Sequence, residues 1–112
     1  MDKLESFREI IIETLNNYGK VQPKDLPDVS VQISTDKVND HYHLHYVGWD
    51  KMKRIYTCVF HLDIIKDKIW LQVNNSNYDI ALELVERGIP KSDIVLGFQA
   101  PYKRQYTEFA VA

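Results

Sequence analysis

The sequence predicts an α+β fold: an N-terminal helix, a four-stranded antiparallel meander, a second helix, a short fifth strand and a packed C-terminal tail. Two observations predict this class. Apolar residues recur every three or four positions near the N-terminus, and four segments between residues 29 and 73 alternate apolar with polar residues. A chain of 112 residues has room for one core, so we expect a single domain over residues 1–112. The composition, with 45% apolar and 27% charged residues, excludes a disordered chain and a disulfide scaffold.

The first helix is predicted over residues 2–18, because five positions spaced by three or four form one apolar stripe: Leu4, Phe7, Ile11, Leu15 and Tyr18. Asp2 is placed to cap its first turn, with Glu5 three residues on as in a capping box. Gly19 is the expected left-handed residue at its C-terminal end. Two prolines then predict an extended connector over residues 20–28.

Four strands are predicted over residues 29–34, 41–49, 54–65 and 68–73. The connections between them are short and polar, which favours antiparallel pairing of neighbours. Tyr42 and Leu44 are expected on the face that packs under the helices. In the third strand, simple alternation puts one set of side chains on a common face: Tyr56, Cys58, Phe60, Leu62 and Ile64.

The last third of the chain predicts a helix, a strand and a packed end. The helix should run from about residue 78 to 87, with Asn77 as its N-cap and Gly88 just past its C-terminus. The apolar residues 94–98 predict the fifth strand. The tail, residues 100–112, is too aromatic for a loose end, so we expect it to pack through a single helical turn.

The second face of the predicted sheet carries unusually many apolar residues: Val47, Trp49, Ile55, Val59 and Trp70. An antiparallel sheet that faces water normally alternates cleanly between apolar and polar residues. Two modest helices cannot cover both faces. We therefore expect a second subunit or a stable partner on this face, and a homo-oligomer of two or more copies.

Charge and cysteine content narrow the class of partner and the compartment. Fourteen basic against sixteen acidic residues leave a net charge of −2, which disfavours a stand-alone DNA-binding protein. The single cysteine, Cys58, cannot form an internal disulfide and fits a reducing compartment. No segment has the ~20 apolar residues of a membrane helix, and the acidic start of the chain does not resemble a signal peptide. We expect a cytoplasmic protein with no membrane contact.

Histidines supply the most suggestive local pattern. His41, His43 and His45 share one strand face, and alternating histidines on a strand can supply zinc ligands. The pattern equally describes a row of surface histidines, which is the interpretation that we adopt, so no metal and no cofactor are expected. His61 and Asp63 lie two apart on one strand and could form an acid–base pair or a structural hydrogen bond. We expect the structural role.

Other catalytic patterns do not occur in the sequence. There is no Gly-x-Ser-x-Gly elbow and no glycine-rich phosphate loop. Leu71-Gln72-Val73 stands where a restriction-type nuclease needs an acidic residue and a lysine. We expect no enzymatic activity and no catalytic residues.

Two basic clusters remain: residues 51–54 at a hairpin, and Lys103-Arg104 near the C-terminus between Tyr102 and Tyr106. Interleaved aromatic and basic residues serve nucleic acids, but Arg and Tyr are also enriched at protein interfaces. Given the net negative charge, we expect a protein interface. The predicted partner-binding residues are Trp49, Trp70, Tyr102, Lys103, Arg104 and Tyr106.

Several longer motifs resemble the XisI family of fdxN element excision controlling factors. They include Val47-Gly48-Trp49-Asp50, Lys68-Ile69-Trp70-Leu71-Gln72, Gly88-Ile89-Pro90-Lys91, Asp93-Ile94-Val95-Leu96-Gly97-Phe98 and Pro101-Tyr102-Lys103-Arg104-Gln105-Tyr106-Thr107. The match spans essentially the whole chain. The resemblance implies an accessory, non-enzymatic factor in a site-specific DNA rearrangement of cyanobacterial heterocyst development, acting with an XisH-like partner. It carries no catalytic residues over to this chain.

This sequence departs from the family pattern in places. Gln99 and Glu108 stand where we expect His and Gly, and the family has no fixed histidine at His43 and His45. The leading hypothesis is a regulatory protein that works through XisH-like partners. A weak or conditional DNA-binding factor is the alternative, and a metalloenzyme built on His41, His43 and His45 is a third hypothesis.

Overall fold

The computed structural model describes residues 2–112 and confirms the predicted α+β architecture. The elements are α1 (Lys3–Gly19), β1 (Val29–Asp36), β2 (His41–Asp50), β3 (Lys53–Ile65), β4 (Lys68–Asn74), α2 (Ile80–Glu86) and β5 (Ile94–Leu96). Short 3₁₀ turns cover Lys91–Asp93 and Pro101–Tyr106. No helix in the described part of the chain is long and apolar enough to cross a bilayer.

The five strands form one sheet in chain order. β1 to β4 pair antiparallel as the predicted meander, whereas β5 pairs parallel to β4. A parallel pair needs a crossover connection, which α2 supplies. Beyond β5, the backbone N–H of Ala110 donates to the carbonyl of Ile94 at 2.8 Å, and the tail therefore packs along the sheet edge as expected.

Both helices pack on one face of the sheet and enclose the core. Its fully buried side chains come from α1, from the central strands and from the elements after β4: Ile11, Leu15, Tyr42, Leu44, Phe60, Leu62, Ile69, Leu71, Ile80, Leu84, Ile89 and Ile94. Tyr42 and Leu44 face the helices, as predicted.

One β-bulge makes the predicted face assignment of β3 wrong for Tyr56 and Cys58. The register between β2 and β3 shifts after Leu44, so that His45 pairs with Cys58, and Val59 is an extra residue buried in the core. The register between β3 and β4 shifts after His61, but the extra residue there is Gln72 of β4, so the faces of β3 are unaffected. A bulge turns the following side chains to the other face. Tyr56 and Cys58 therefore lie on the face opposite to Phe60.

The helix ends differ from the prediction in two details. Asp2 caps α1 as predicted, accepting from the N–H of Glu5 at 2.8 Å. Gly19, however, is helical rather than left-handed, and a Cβ there would lie 2.6 Å from Ile33 Cδ1. This glycine therefore allows β1 to approach α1 closely.

The second helix is shorter than predicted and begins at Ile80. Its N-cap is Asp79 rather than Asn77, and the Asp79 carboxylate accepts from the N–H of Leu82 at 3.1 Å. Gly88 follows the helix with φ 108°, as predicted. The fifth strand ends at Leu96, because the chain turns at the next residue.

Candidate functional site

The face of the sheet opposite the helices, here called the open face, carries ionisable and aromatic side chains. They come from three strands: His41, His43, His45, Val47 and Trp49 of β2, Arg54, Tyr56, Cys58, His61 and Asp63 of β3, and Trp70 and Gln72 of β4. Of the apolar residues predicted there, Val47, Trp49 and Trp70 lie on this face. Val59 lies in the core, and Ile55 alternates away from Tyr56 and pairs with Gly48.

Three side chains from two strands meet at one end of the open face, and we call them the His–Asp cluster: His41, His61 and Asp63. Antiparallel pairing places His41 directly opposite Asp63, and His61 lies two positions along the same strand. Asp63 Oδ1 lies 2.7 Å from His41 Nδ1 and 2.9 Å from His61 Nε2. Gln72 donates to the other oxygen, Oδ2, at 3.2 Å. The carboxylate, although only 7% exposed, is therefore fully hydrogen-bonded.

The cluster changes the pKa values of its members in opposite directions. Burial disfavours the charge of Asp63, but the hydrogen bonds from His41 and His61 outweigh it and hold the pKa of the carboxyl below its usual value. The hydrogen bond to Asp63 raises the pKa of His41. Burial, together with the nearby rings of His61 and His45, lowers the pKa of His43. Protonation is therefore favoured on His41 and disfavoured on His43.

The three histidines of β2 do not converge on one point, contrary to the pattern that suggested a metal site. The ring of His43 packs on His61 with centroids 4.1 Å apart, and on His45 at 5.5 Å. His45 stacks in turn on Tyr56 at 5.9 Å. The imidazoles of β2 thus form a row, and the side chains that do converge on one point come from two strands. The sequence does not reveal this convergence, because it depends on the register between β2 and β3.

Trp49 lies far from the His–Asp cluster. It is eight positions from His41 on β2, which is about 26 Å at ~3.3 Å per residue. The Arg54 guanidinium stacks on the Trp49 ring at 5.5 Å. The Trp49 side chain is 49% exposed and the nearby Tyr56 is 69% exposed. This end of the open face is an aromatic surface with one stacked cation.

The C-terminal tail covers Trp70, which pairs with Asp63 of the His–Asp cluster on the neighbouring strand. Arg104 lies over the ring of Trp70, with 5.1 Å between its guanidinium carbon and the ring centroid. The same guanidinium donates to the carbonyls of Gln99 at 3.1 Å and Gly97 at 3.4 Å. A salt bridge of 2.7 Å between Lys91 and Glu108 further anchors the tail. Trp70 and Arg104 thus hold the tail in place.

The remaining predicted interface residues lie on the 3₁₀ turn of the tail. Tyr102 and Tyr106 are 68% and 82% exposed, and the ammonium of Lys103 lies 5.8 Å from the Tyr102 ring. The six predicted residues therefore form two separate groups, with Trp49 alone at one end and the other five around the tail. Cys58 is half-buried on the open face, and burial raises the pKa of its thiol.

A cleft on the helix side was not anticipated from the sequence. It has a volume of about 700 Å³ and lies between the C-terminal end of α1 and the start of α2. Its wall includes Tyr18, Tyr46 and Tyr78. The Tyr18 hydroxyl donates to Glu83 at 3.5 Å. Burial of the hydroxyl and the negative charge of Glu83 both raise the pKa of Tyr18, to about 12.

Fold and open face together define a small α+β protein with one helix-covered sheet face and one face of aromatic and ionisable side chains. The chain matches the XisI protein family over residues 1–111 and belongs to that family.

Two solved structures support the assignment. A crystal structure of a XisI-like protein from Anabaena variabilis has 48% identity and a TM-score of 0.90, and the match covers 97% of this chain and 99% of that chain. The fdxN element excision controlling factor XisI from the same organism has 38% identity and a TM-score of 0.84, with coverage of 99% and 100%. No curated protein gives a significant match.

Proposed function

We propose that this protein is a non-enzymatic accessory factor that controls excision of a DNA element by binding an XisH-like protein. The 38% identical relative is described as an fdxN element excision controlling factor, and control of a reaction requires no catalytic group in the controlling protein. The role in cyanobacterial DNA rearrangement would place the protein in the cytoplasm, with its DNA.

The observation that carries the proposal is the exposure of aromatic residues beside cations. Trp49 stacks under Arg54 while 49% exposed, and Tyr102 and Tyr106 project from the tail. Trp, Tyr and Arg are the residue types most enriched among interface hot spots. The tail turn is the proposed contact for the XisH-like protein, because it presents two exposed tyrosines with Lys103 beside the Tyr102 ring.

The Trp49 end of the open face is the proposed contact with a second copy of the chain. Tyr56 continues the aromatic surface there, so a symmetric contact would bury both rings. Trp70 is left out of this proposed contact, because Arg104 lies over its ring.

The test is a binding measurement between the purified protein and the XisH-like protein of the same genome. Tyr102→Ala/Tyr106→Ala should weaken binding at least ~10-fold, which corresponds to about 1.4 kcal/mol. Val38→Ala is the matched control, because Val38 is 90% exposed on the β1–β2 turn, away from the tail. Absence of binding by the wild-type protein, or equal binding by the double variant, would refute the proposal.

A direct DNA contact is the second candidate, favoured by the exposed basic hairpin of Lys51, Lys53 and Arg54 beside Trp49. Gel shifts across a salt series distinguish the two, because phosphate contacts give a steep salt dependence. Failure to shift DNA at low salt removes this candidate.

A further inference from the structure

We propose that His41, His61 and Asp63 form a binding site for a divalent transition-metal ion, with Zn²⁺ as the best fit. One potential ligand atom from each residue lies within 4.8 Å of the other two. The site differs from the row of His41, His43 and His45, and it departs from the expectation of no bound metal. The expected absence of a metal rested on the spacing of histidines along one strand, whereas this site is formed by residues of two strands.

The donor set suits zinc. Two imidazole nitrogens and one carboxylate oxygen are a common set of three protein ligands for zinc, with a fourth position left to water. Zinc binds these atoms at about 2.0–2.2 Å, so tetrahedral ligands lie about 3.4 Å apart. The two nitrogens now lie 2.7 and 2.9 Å from Asp63 Oδ1, as hydrogen bonds. Outward shifts of roughly 0.5–0.7 Å would make room for the ion.

The backbone and the exposure of the ligands permit that shift. Asp63 and His61 are held on the central strand β3, where pairing on both sides fixes their positions. The His41 side chain is 51% exposed, so its ring can turn without disturbing the core. Solvent reaches the site from the same side, which provides the fourth position and a route for the ion.

The surrounding side chains orient the ligands as they do in known metal sites. Gln72 donates to Asp63 Oδ2 and leaves Oδ1 directed at the two histidines. The ring of His43 packs against His61 at 4.1 Å and limits its rotation. Partners of this kind in the second layer typically contribute 10–100-fold to metal affinity. On binding, each imidazole carries its proton on the ring nitrogen that does not bind the ion.

The test uses the untagged protein, stripped with a chelator and titrated with zinc chloride by calorimetry, with elemental analysis after dialysis. We expect about one zinc per chain, as for a single three-ligand site. His61→Ala and Asp63→Asn should each weaken binding at least ~10-fold, because each removes a proposed ligand. Even residues that only orient the ligands contribute about 10–100-fold to metal affinity. His41→Ala should do the same without unfolding, because this residue is half exposed. Far-UV circular dichroism of each variant separates ligand loss from misfolding.

His45→Ala is the matched control. His45 lies on the same strand and face, but its ring stacks on Tyr56 and takes no part in the cluster. Its zinc affinity should equal that of the wild type. The proposal is overturned if the wild type binds no zinc, if His41→Ala binds it undiminished, or if His45→Ala loses as much affinity as His61→Ala.

Discussion

The hydroxyl of Tyr42 donates a hydrogen bond to Asp40 Oδ1 at 2.8 Å, from a side chain that is completely buried. Arg8 holds the same carboxylate from α1, with its Nε 2.8 Å from Oδ1 and its Nη2 3.2 Å from Oδ2. Asp40 itself adopts a left-handed φ of 59° in the turn just before β2. One carboxylate therefore joins the first helix, the β1–β2 turn and the core, and it lies next to the strand that carries His41.

Removing the charge of Asp40 should destabilise the fold. Asp40→Asn keeps a residue that tolerates the left-handed backbone but removes the closer ion pair of the half-buried Arg8 and leaves only the one with Glu5 at 3.4 Å. We expect a loss of about 2 kcal/mol, since charged hydrogen bonds contribute about 1.5–3 kcal/mol. Urea unfolding measures it. Asp67→Asn is the control, because Asp67 is an exposed turn residue with φ 67°, and a change of similar size there would contradict the assignment.

The same carboxylate should make stability depend on pH. The hydrogen bond from Arg8 holds the pKa of Asp40 below its usual value. A lowered pKa in the folded state stabilises the protein above the unfolded pKa of about 3.9, and this contribution is lost as the pH falls through the folded value. The stability difference between wild type and Asp40→Asn should therefore shrink as the pH falls from about 5 to about 3. A constant difference over this range would show that the charge has no role.

Two glycines should respond very differently to alanine. A Cβ on Gly48 would lie 2.2 Å from the backbone oxygen of Asp28, whereas a Cβ on Gly19 would meet only the end of the Ile33 side chain. Gly48→Ala should cost at least ~2 kcal/mol, within the range of overpacking. Gly19→Ala should cost much less, because Ile33 can rotate and alanine favours the helix. Thermal unfolding of both variants provides the comparison, and equal melting temperatures would contradict it.

Arg104 should keep the tail on Trp70. In a Trp49→Phe background, Trp70 is the remaining tryptophan and its emission reports on solvent exposure. Arg104→Ala should shift that emission to the red, because the guanidinium no longer covers the ring. Lys103→Ala is the control, since Lys103 lies over Tyr102 instead. An unshifted spectrum would mean that the tail is held without Arg104.

Self-association should depend on the exposed end of the open face. Trp49→Ala/Tyr56→Ala should lower the sedimentation coefficient at micromolar concentration toward that of a monomer, because both rings leave the proposed contact. Val38→Ala should leave sedimentation unchanged. A wild-type protein that sediments as a monomer at these concentrations would rule this contact out.

Most elements of the fold were predictable because their signals are local. The apolar stripe of α1, the alternation of the four meander strands and Gly88 after α2 each reflect short-range geometry. The predicted N-cap of α2, Asn77, was wrong, because Asp79 two residues later also has a capping side chain and takes that position.

The failures concern relations between strands. Alternation assigned Tyr56 and Cys58 to the core because nothing in the local sequence marks Val59 as the extra residue of a bulge. The His–Asp cluster was missed for the same reason. Spacing along β3 is enough to pair His61 with Asp63. The position of His41 opposite Asp63 depends on the β2–β3 register, and a one-residue slip of that register would place the His41 side chain on the other face of the sheet.

The parallel pairing of β5 has a consequence for the order of assembly. The strands of the meander join their neighbours through short turns, so those contacts close small loops and form at low entropic cost. β5 must return across α2 to reach β4, and the last residues dock only after β5 is in place. Contacts distant in sequence form more slowly. The meander should therefore form first during refolding, with the C-terminal segment added in a later kinetic step.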